Sequence, residues 1–81
     1  MFPMDKEAAL VKLGKQIQRI RKNKGMTQVQ LAHSLNKDQQ SIQRLEAGKF
    51  NPSYIYLTEI ATGLGVSIDV LVREESDTTL Q

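Results

Sequence analysis

The stretch TQVQLAHSLNKDQQSIQRLEAG, Thr27 to Gly48, constrains the fold more than any other part of the chain, because it joins two short helical patterns through one tight break. Thr27 can accept a backbone N–H of the first turn while Gln30, three residues on, reaches back to it, the reciprocal arrangement of a capping box. Leu31, Ala32 and Leu35 then share one helical face. Asn36 is among the few non-glycine residues that enter the left-handed region cheaply, so it ends this helix and turns the chain. Asp38 caps a second helix, expected from Gln39 to Ala47 and terminated by Gly48. The unit is a helix, a turn and a helix.

The second helix has two unlike faces. At about 100° per residue, Ile42 and Leu45 point one way, and Gln39, Gln40, Gln43 and Arg44 fall within an arc of roughly 140° on the other. Amides and guanidinium groups make paired hydrogen bonds to base edges, Gln to the N6 and N7 of adenine and Arg to the O6 and N7 of guanine. On an arbitrary amphipathic helix such a row is simply a solvated face. The helix-turn-helix around it favours a DNA major groove instead.

Charge supports that reading. Residues 12–49 carry nine Lys or Arg (Lys12, Lys15, Arg19, Arg21, Lys22, Lys24, Lys37, Arg44, Lys49) against Asp38 and Glu46. Residues 50–81 carry Arg73 against Glu59, Asp69, Glu74, Glu75 and Asp77. The modest net charge of +2 thus conceals a basic region coincident with the helix-turn-helix and the helix before it, as expected of a phosphate-facing surface.

Other classes lack the inventory. Cysteine is absent, so neither a disulfide framework nor a thiolate metal site is possible, and a reducing cytoplasm is the expected compartment. No apolar run approaches a membrane span and the first residues do not resemble a signal peptide, so no membrane partner is expected. His33 is the sole histidine and is expected to be exposed and inert; no glycine-rich phosphate loop or nucleophile beside a base accompanies it. The expectation is a non-enzyme without cofactor, metal or small-molecule ligand.

Eighty-one residues suffice for one domain. Residues 1–7 read as a flexible lead, 8–73 as the domain, and 74–81 as a flexible acidic tail that could instead extend an interface. Leu10, Leu13, Ile17 and Ile20 recur at helical spacing between about Lys6 and Asn23, Gly25 ends that helix, and Met26 fills the core beneath it. Phe50 is expected as a core lid rather than a contact to sugar or thymine methyl. A fourth helix starts at Pro52 or Ser53, turns Leu57, Ile60, Ala61 and Leu64 inward and stops near Gly65. Ser67 caps a fifth, Ile68 to about Val72, whose Leu71 closes the core. Ile55, Tyr56, Val66, Ile68, Val70 and Val72 exceed what such short helices can cover, which suggests a two-fold seam at helices 4 and 5 formed by Tyr56, Val66, Ile68, Val70 and Val72.

From Leu13 to Leu71 the chain resembles the Cro/C1-type (XRE-like) helix-turn-helix family, the DNA-binding domains of lambdoid phage repressors and their bacterial relatives. The pattern is carried by Leu13-Gly14, Ile17, Ile20-Arg21, Gly25, Thr27-Gln28, Leu31-Ala32, Ile42, Leu45-Glu46, Gly48, Pro52-Ser53, Leu57, Ile60-Ala61, Leu64 and Val66. The segment Gln39 to Lys49 is similar to a phage repressor's recognition helix, departing from it at Arg44, where glutamine stands in the phage protein. The resemblance implies an all-α, compact five-helix lambda-repressor-like domain. It also implies that Gln39, Gln40 and Arg44 approach bases, with Gln43 on the same face, and that Gln28 grips a phosphate. Lys37, Ser41, Lys49 and Asn51 complete the expected phosphate set. Arg21 and Glu46 are implied to form an ion pair between the first helix and the recognition helix, and the dimer contact is implied at the last two helices.

The implied function is a sequence-specific, double-stranded-DNA-binding transcriptional regulator, a homodimer on a pseudo-palindromic operator. Such a chain acts by occupancy, blocking RNA polymerase or touching it, in a bacterial or phage-infected cytoplasm. Restriction-modification controllers and single-domain antitoxins share this build. The alternative is a protein-interaction module that keeps the fold without DNA binding, which predicts loss of the basic region or the polar row. Both are present.

Overall fold

A computed structural model describes residues 5–73. It consists there of five helices: α1 (Lys6–Asn23), α2 (Gln28–Ser34), α3 (Gln39–Glu46), α4 (Tyr54–Leu64) and α5 (Ile68–Val72). The acidic tail, and residues 1–4 of the expected lead, lie outside the described residues. α1 starts at Lys6, where the helical spacing placed it, because the Asp5 carboxylate accepts from the Ala8 N–H at 2.8 Å.

Local chemistry sets the boundaries. The capping box at α2 is complete: Thr27 Oγ1 accepts from the Gln30 N–H at 3.0 Å, and Gln30 Oε1 accepts from the Thr27 N–H at 2.9 Å. Asp38 accepts from Ser41 N–H at 2.8 Å, and Ser53 caps α4, which begins at Tyr54, by accepting from Tyr56 N–H at 3.0 Å. Ser67 departs from expectation. It occupies the cap position of α5, but its hydroxyl donates to the Asp69 carboxylate, a charged acceptor two residues away, and makes no cap bond to the backbone.

The break inside the helix-turn-helix is a left-handed residue, Asn36, with φ 57°. Around it the Lys37 N–H donates to Ala32 O at 2.9 Å and the Asn36 N–H to His33 O at 3.2 Å, the two bonds of a Schellman ending. Gly48, φ 77°, ends α3 in the same way through Lys49 N–H to Arg44 O and Gly48 N–H to Leu45 O. Glycine is needed there twice over, since a Cβ would also lie 2.9 Å from a Val11 methyl.

The core is Ile17, Leu31, Ala32, Ile42, Leu45, Ile60, Ala61, Leu64 and Leu71, drawn from all five helices. Each large aliphatic side chain among them contributes roughly 1.5–3 kcal/mol by leaving water. α3 lies against both α1 and α2, while α5 lies against α1 and α4. The α1–α3 approach is close at Gly14, where a Cβ would meet the Glu46 and Leu45 carbonyl oxygens at 2.5 and 2.6 Å. At the far end, Gln16 Nε2 donates to Val70 O at 3.0 Å and ties α5 to α1.

The apolar surplus is smaller than the sequence suggested. Of the six residues read as more than the helices can all cover, Tyr56, Val66 and Ile68 are half-buried and packed on the core. Short helices that cross one another cover side chains on their flanks as well as on their inward faces. Ile55 and Val72 do remain out, at 63% and 54% exposure. Phe50 is half-buried on the core and meets the Tyr56 ring edge-on, centroids 4.9 Å apart, as a lid would.

Candidate nucleic-acid interface

α3 buries Ile42, Leu45 and Glu46 and exposes Gln39, Gln40, Gln43 and Arg44, so the polar row read from its periodicity is one exposed face. Its N-terminus is held by Asp38, whose carboxylate stays below the usual range because it accepts the backbone N–H of Ser41. Ser41 itself is half-buried. A depressed folded-state pKa stabilises the fold above the unfolded value, about pH 4, and that contribution disappears as pH falls through the folded value. The Ser41 amide should therefore exchange faster with solvent at pH 2.5 than intrinsic exchange chemistry explains, and Asp38→Asn should remove that excess.

A buried polar chain fixes α3 against α1 and α2. Arg21 Nε and Nη2 donate to the two carboxylate oxygens of Glu46 at 2.6 and 2.9 Å, and its Nη1 donates to Met26 O at 2.7 Å. Glu46 raises the arginine's pKa, partly offset by burial, so the guanidinium stays charged. Gln28 Nε2 donates to Glu46 Oε1 at 3.0 Å, and Gln39 Nε2 donates to Gln28 Oε1 at 3.2 Å. The ion pair is thus continuous with the first residue of the exposed row. Periodicity could not show this link, which joins residues 11 and 18 positions apart.

Beyond α3, Lys49 and Asn51 are exposed, and Arg44 Nη2 donates to Lys49 O at 3.3 Å. These groups lie together at the end of the helix. Lys37 stands differently. Its ammonium donates to Glu59 Oε1 at 2.7 Å and sits 4.3 Å from the centroid of the Tyr56 ring. Burial raises the Tyr56 pKa, opposed by the charge of Lys37. Glu59, an acid without an evident partner in the sequence, is the residue that sequence reasoning passed over.

Of the seam residues, Tyr56 is committed to Phe50 and Lys37 within the chain, Val66, Ile68 and Val70 are half-buried, and Val72 is open. His33 is exposed. Among the described residues no cluster of histidine and acidic side chains has the shape of a metal site, and no helix is long and apolar enough to cross a membrane.

With this geometry in hand, the likeness to known proteins is specific. The chain is 36% identical over 64 residues to the immunity repressor protein of Bacillus phage phi105, covering 79% of this chain and 44% of that protein, so it spans less than half the repressor's length. It is 38% identical over 66 residues to the HTH-type transcriptional regulator y4dJ of Sinorhizobium fredii, covering 82% and 86% of the two chains. Its fold superposes on the restriction-modification controller protein C.AhdI of Aeromonas hydrophila with a TM-score of 0.77 at 31% identity, over 79% of this chain and 97% of that one. The helix-turn-helix family HTH_3 matches residues 17–71, from the core of α1 through Leu71 of α5. The chain belongs to this Cro/C1-type, XRE-like family of DNA-binding transcription regulators.

Proposed function

We propose that the protein is a homodimeric, sequence-specific regulator that reads a pseudo-palindromic operator with α3. The observation that carries the reading is the exposed row Gln39, Gln40, Gln43 and Arg44 on a helix whose opposite face is anchored in the core and whose position is fixed by the Arg21–Glu46–Gln28 chain. Base readout needs such preorganisation, because a bidentate pair tolerates little displacement. Gln28, Ser41, Lys49 and Asn51 set the register on the phosphates. Exposed Ile55 and Val72, with Val70, supply the apolar contact between subunits, supported from within by Val66 and Ile68. Half-sites then lie about one helical turn apart. The phage repressor and the controller protein among the similar proteins support a repressor-like action by occupancy in a bacterial or phage setting.

Two substitutions separate reading from holding. Arg44→Ala should cost about 1–3 kcal/mol of operator binding and relax preference at one base pair. Competition binding against a panel of single-base operator variants checks this, and equal weakening on every sequence would remove Arg44 from the reading set. Lys49→Ala should weaken binding almost uniformly and lower the slope of log affinity against log salt by about one unit. A slope identical to that of the unsubstituted protein would strike Lys49 from the phosphate contacts.

A further inference from the structure

Lys37 immediately precedes Asp38, the cap of the helix proposed to enter the groove, and is one of the basic residues that mark the expected phosphate-facing region. Its ammonium is nevertheless already engaged. Glu59 of α4 accepts from it at 2.7 Å, the Tyr56 ring lies beneath it at 4.3 Å, and the lysine side chain is only 18% exposed while the glutamate is half exposed. A cation held by a carboxylate on one side and a ring on the other has both its charge and its position satisfied. To reach a DNA phosphate it must abandon both, and the Glu59 charge would then stand unpaired close to the nucleic acid. We propose that Glu59 is an affinity-setting residue that keeps Lys37 out of the phosphate contacts, lowering the sequence-independent part of DNA binding without touching base readout.

This rests on the proposed binding of DNA by α3. The consequence is an asymmetry between backgrounds. Since counterion release contributes a salt slope of about 0.9 per neutralised phosphate, Glu59→Gln should steepen the slope by about 0.9 and tighten binding roughly three- to tenfold near 0.1 M salt. The gain should be equal on operator and unrelated duplex, because a phosphate contact carries no sequence information. Lys37→Gln alone should leave the slope unchanged, whereas Lys37→Gln in the Glu59→Gln background should abolish the gain.

The experiment is a salt titration of duplex binding for the full chain and these three variants, by fluorescence anisotropy with labelled operator and labelled random-sequence DNA. Circular dichroism confirms that each is folded. A steeper slope in Glu59→Gln that is reversed by adding Lys37→Gln supports the proposal. A slope reduced by Lys37→Gln alone would overturn it, because Lys37 would then be a phosphate contact already. So would a Glu59→Gln slope equal to that of the unsubstituted protein. Absence of any salt-dependent binding by the unsubstituted chain would sink the nucleic-acid reading itself, an outcome distinct from either.

Discussion

Arg21→Ala should lower the unfolding free energy by about 3–5 kcal/mol, the cost of removing one partner from a buried ion pair, and shift the thermal midpoint by well over ten degrees at ~4–8 °C per kcal/mol. The reason is what it leaves behind. The Glu46 side chain is 2% exposed, and without the guanidinium its carboxylate keeps only the Gln28 amide as a side-chain donor among the described residues, while Met26 O loses the Arg21 donor. The magnitude reflects the orphaned charge more than the strength of the pair. Arg21→Met with Glu46→Leu should therefore recover much of the stability that Arg21→Ala loses, since a packed apolar replacement spares both desolvation costs. It should not recover operator affinity, because Gln28 loses the carboxylate that orients it. Urea unfolding of the three proteins, read beside binding, checks both halves; a double variant no more stable than Arg21→Ala would mean that shape rather than charge limits the site.

Gly14→Ala is the second large effect. In an open helix the change would gain about 0.5–1 kcal/mol. Here the new Cβ would sit 2.5 Å from Glu46 O and 2.6 Å from Leu45 O, backbone atoms that can retreat only if α1 and α3 separate. A net loss of about 1–3 kcal/mol or more is expected from such overpacking, together with weaker operator binding because α3 is the helix displaced. Gly63→Ala provides the contrast. Its Cβ would meet Leu35 side-chain atoms at 2.9 Å, and a side chain can rotate away, so the thermal midpoint should fall less than in Gly14→Ala. The reverse order would show that the α1–α3 contact is softer than its geometry implies.

These two sites mark where the sequence is legible and where it stops being so. Thr27, Asp38 and Ser53 act on N–H groups three residues away, an offset built into every helix start, so their caps can be read directly. Asn36 and Gly48 are legible for the same local reason, as is the division of α3 into Ile42 and Leu45 within and the glutamines and Arg44 without. The Arg21–Glu46 pair came from family resemblance alone, since nothing local joins residues 25 apart. Gly14 belonged to the family's pattern without a stated reason, because the approach of α1 to the end of α3 is a property of two helices crossing. Lys37, in the α2–α3 turn, meets Tyr56 and Glu59 of α4, a contact between residues far apart in the chain that no local rule shows. Ser67 stands at a cap position by sequence, yet its hydroxyl bonds the Asp69 side chain and caps nothing.

The most direct test of α3 as a reading helix is selection of bound sequences from random duplex DNA at fixed salt, performed in parallel with the unsubstituted protein and Arg44→Ala, with the oligomeric state measured by sedimentation in the same buffer. The expected result is an inverted repeat with half-sites about one helical turn apart, bound by a dimer, whose preference is lost at symmetry-related positions in Arg44→Ala. Salt-sensitive binding with no enriched sequence, or the same enriched sequence from both proteins, would contradict it.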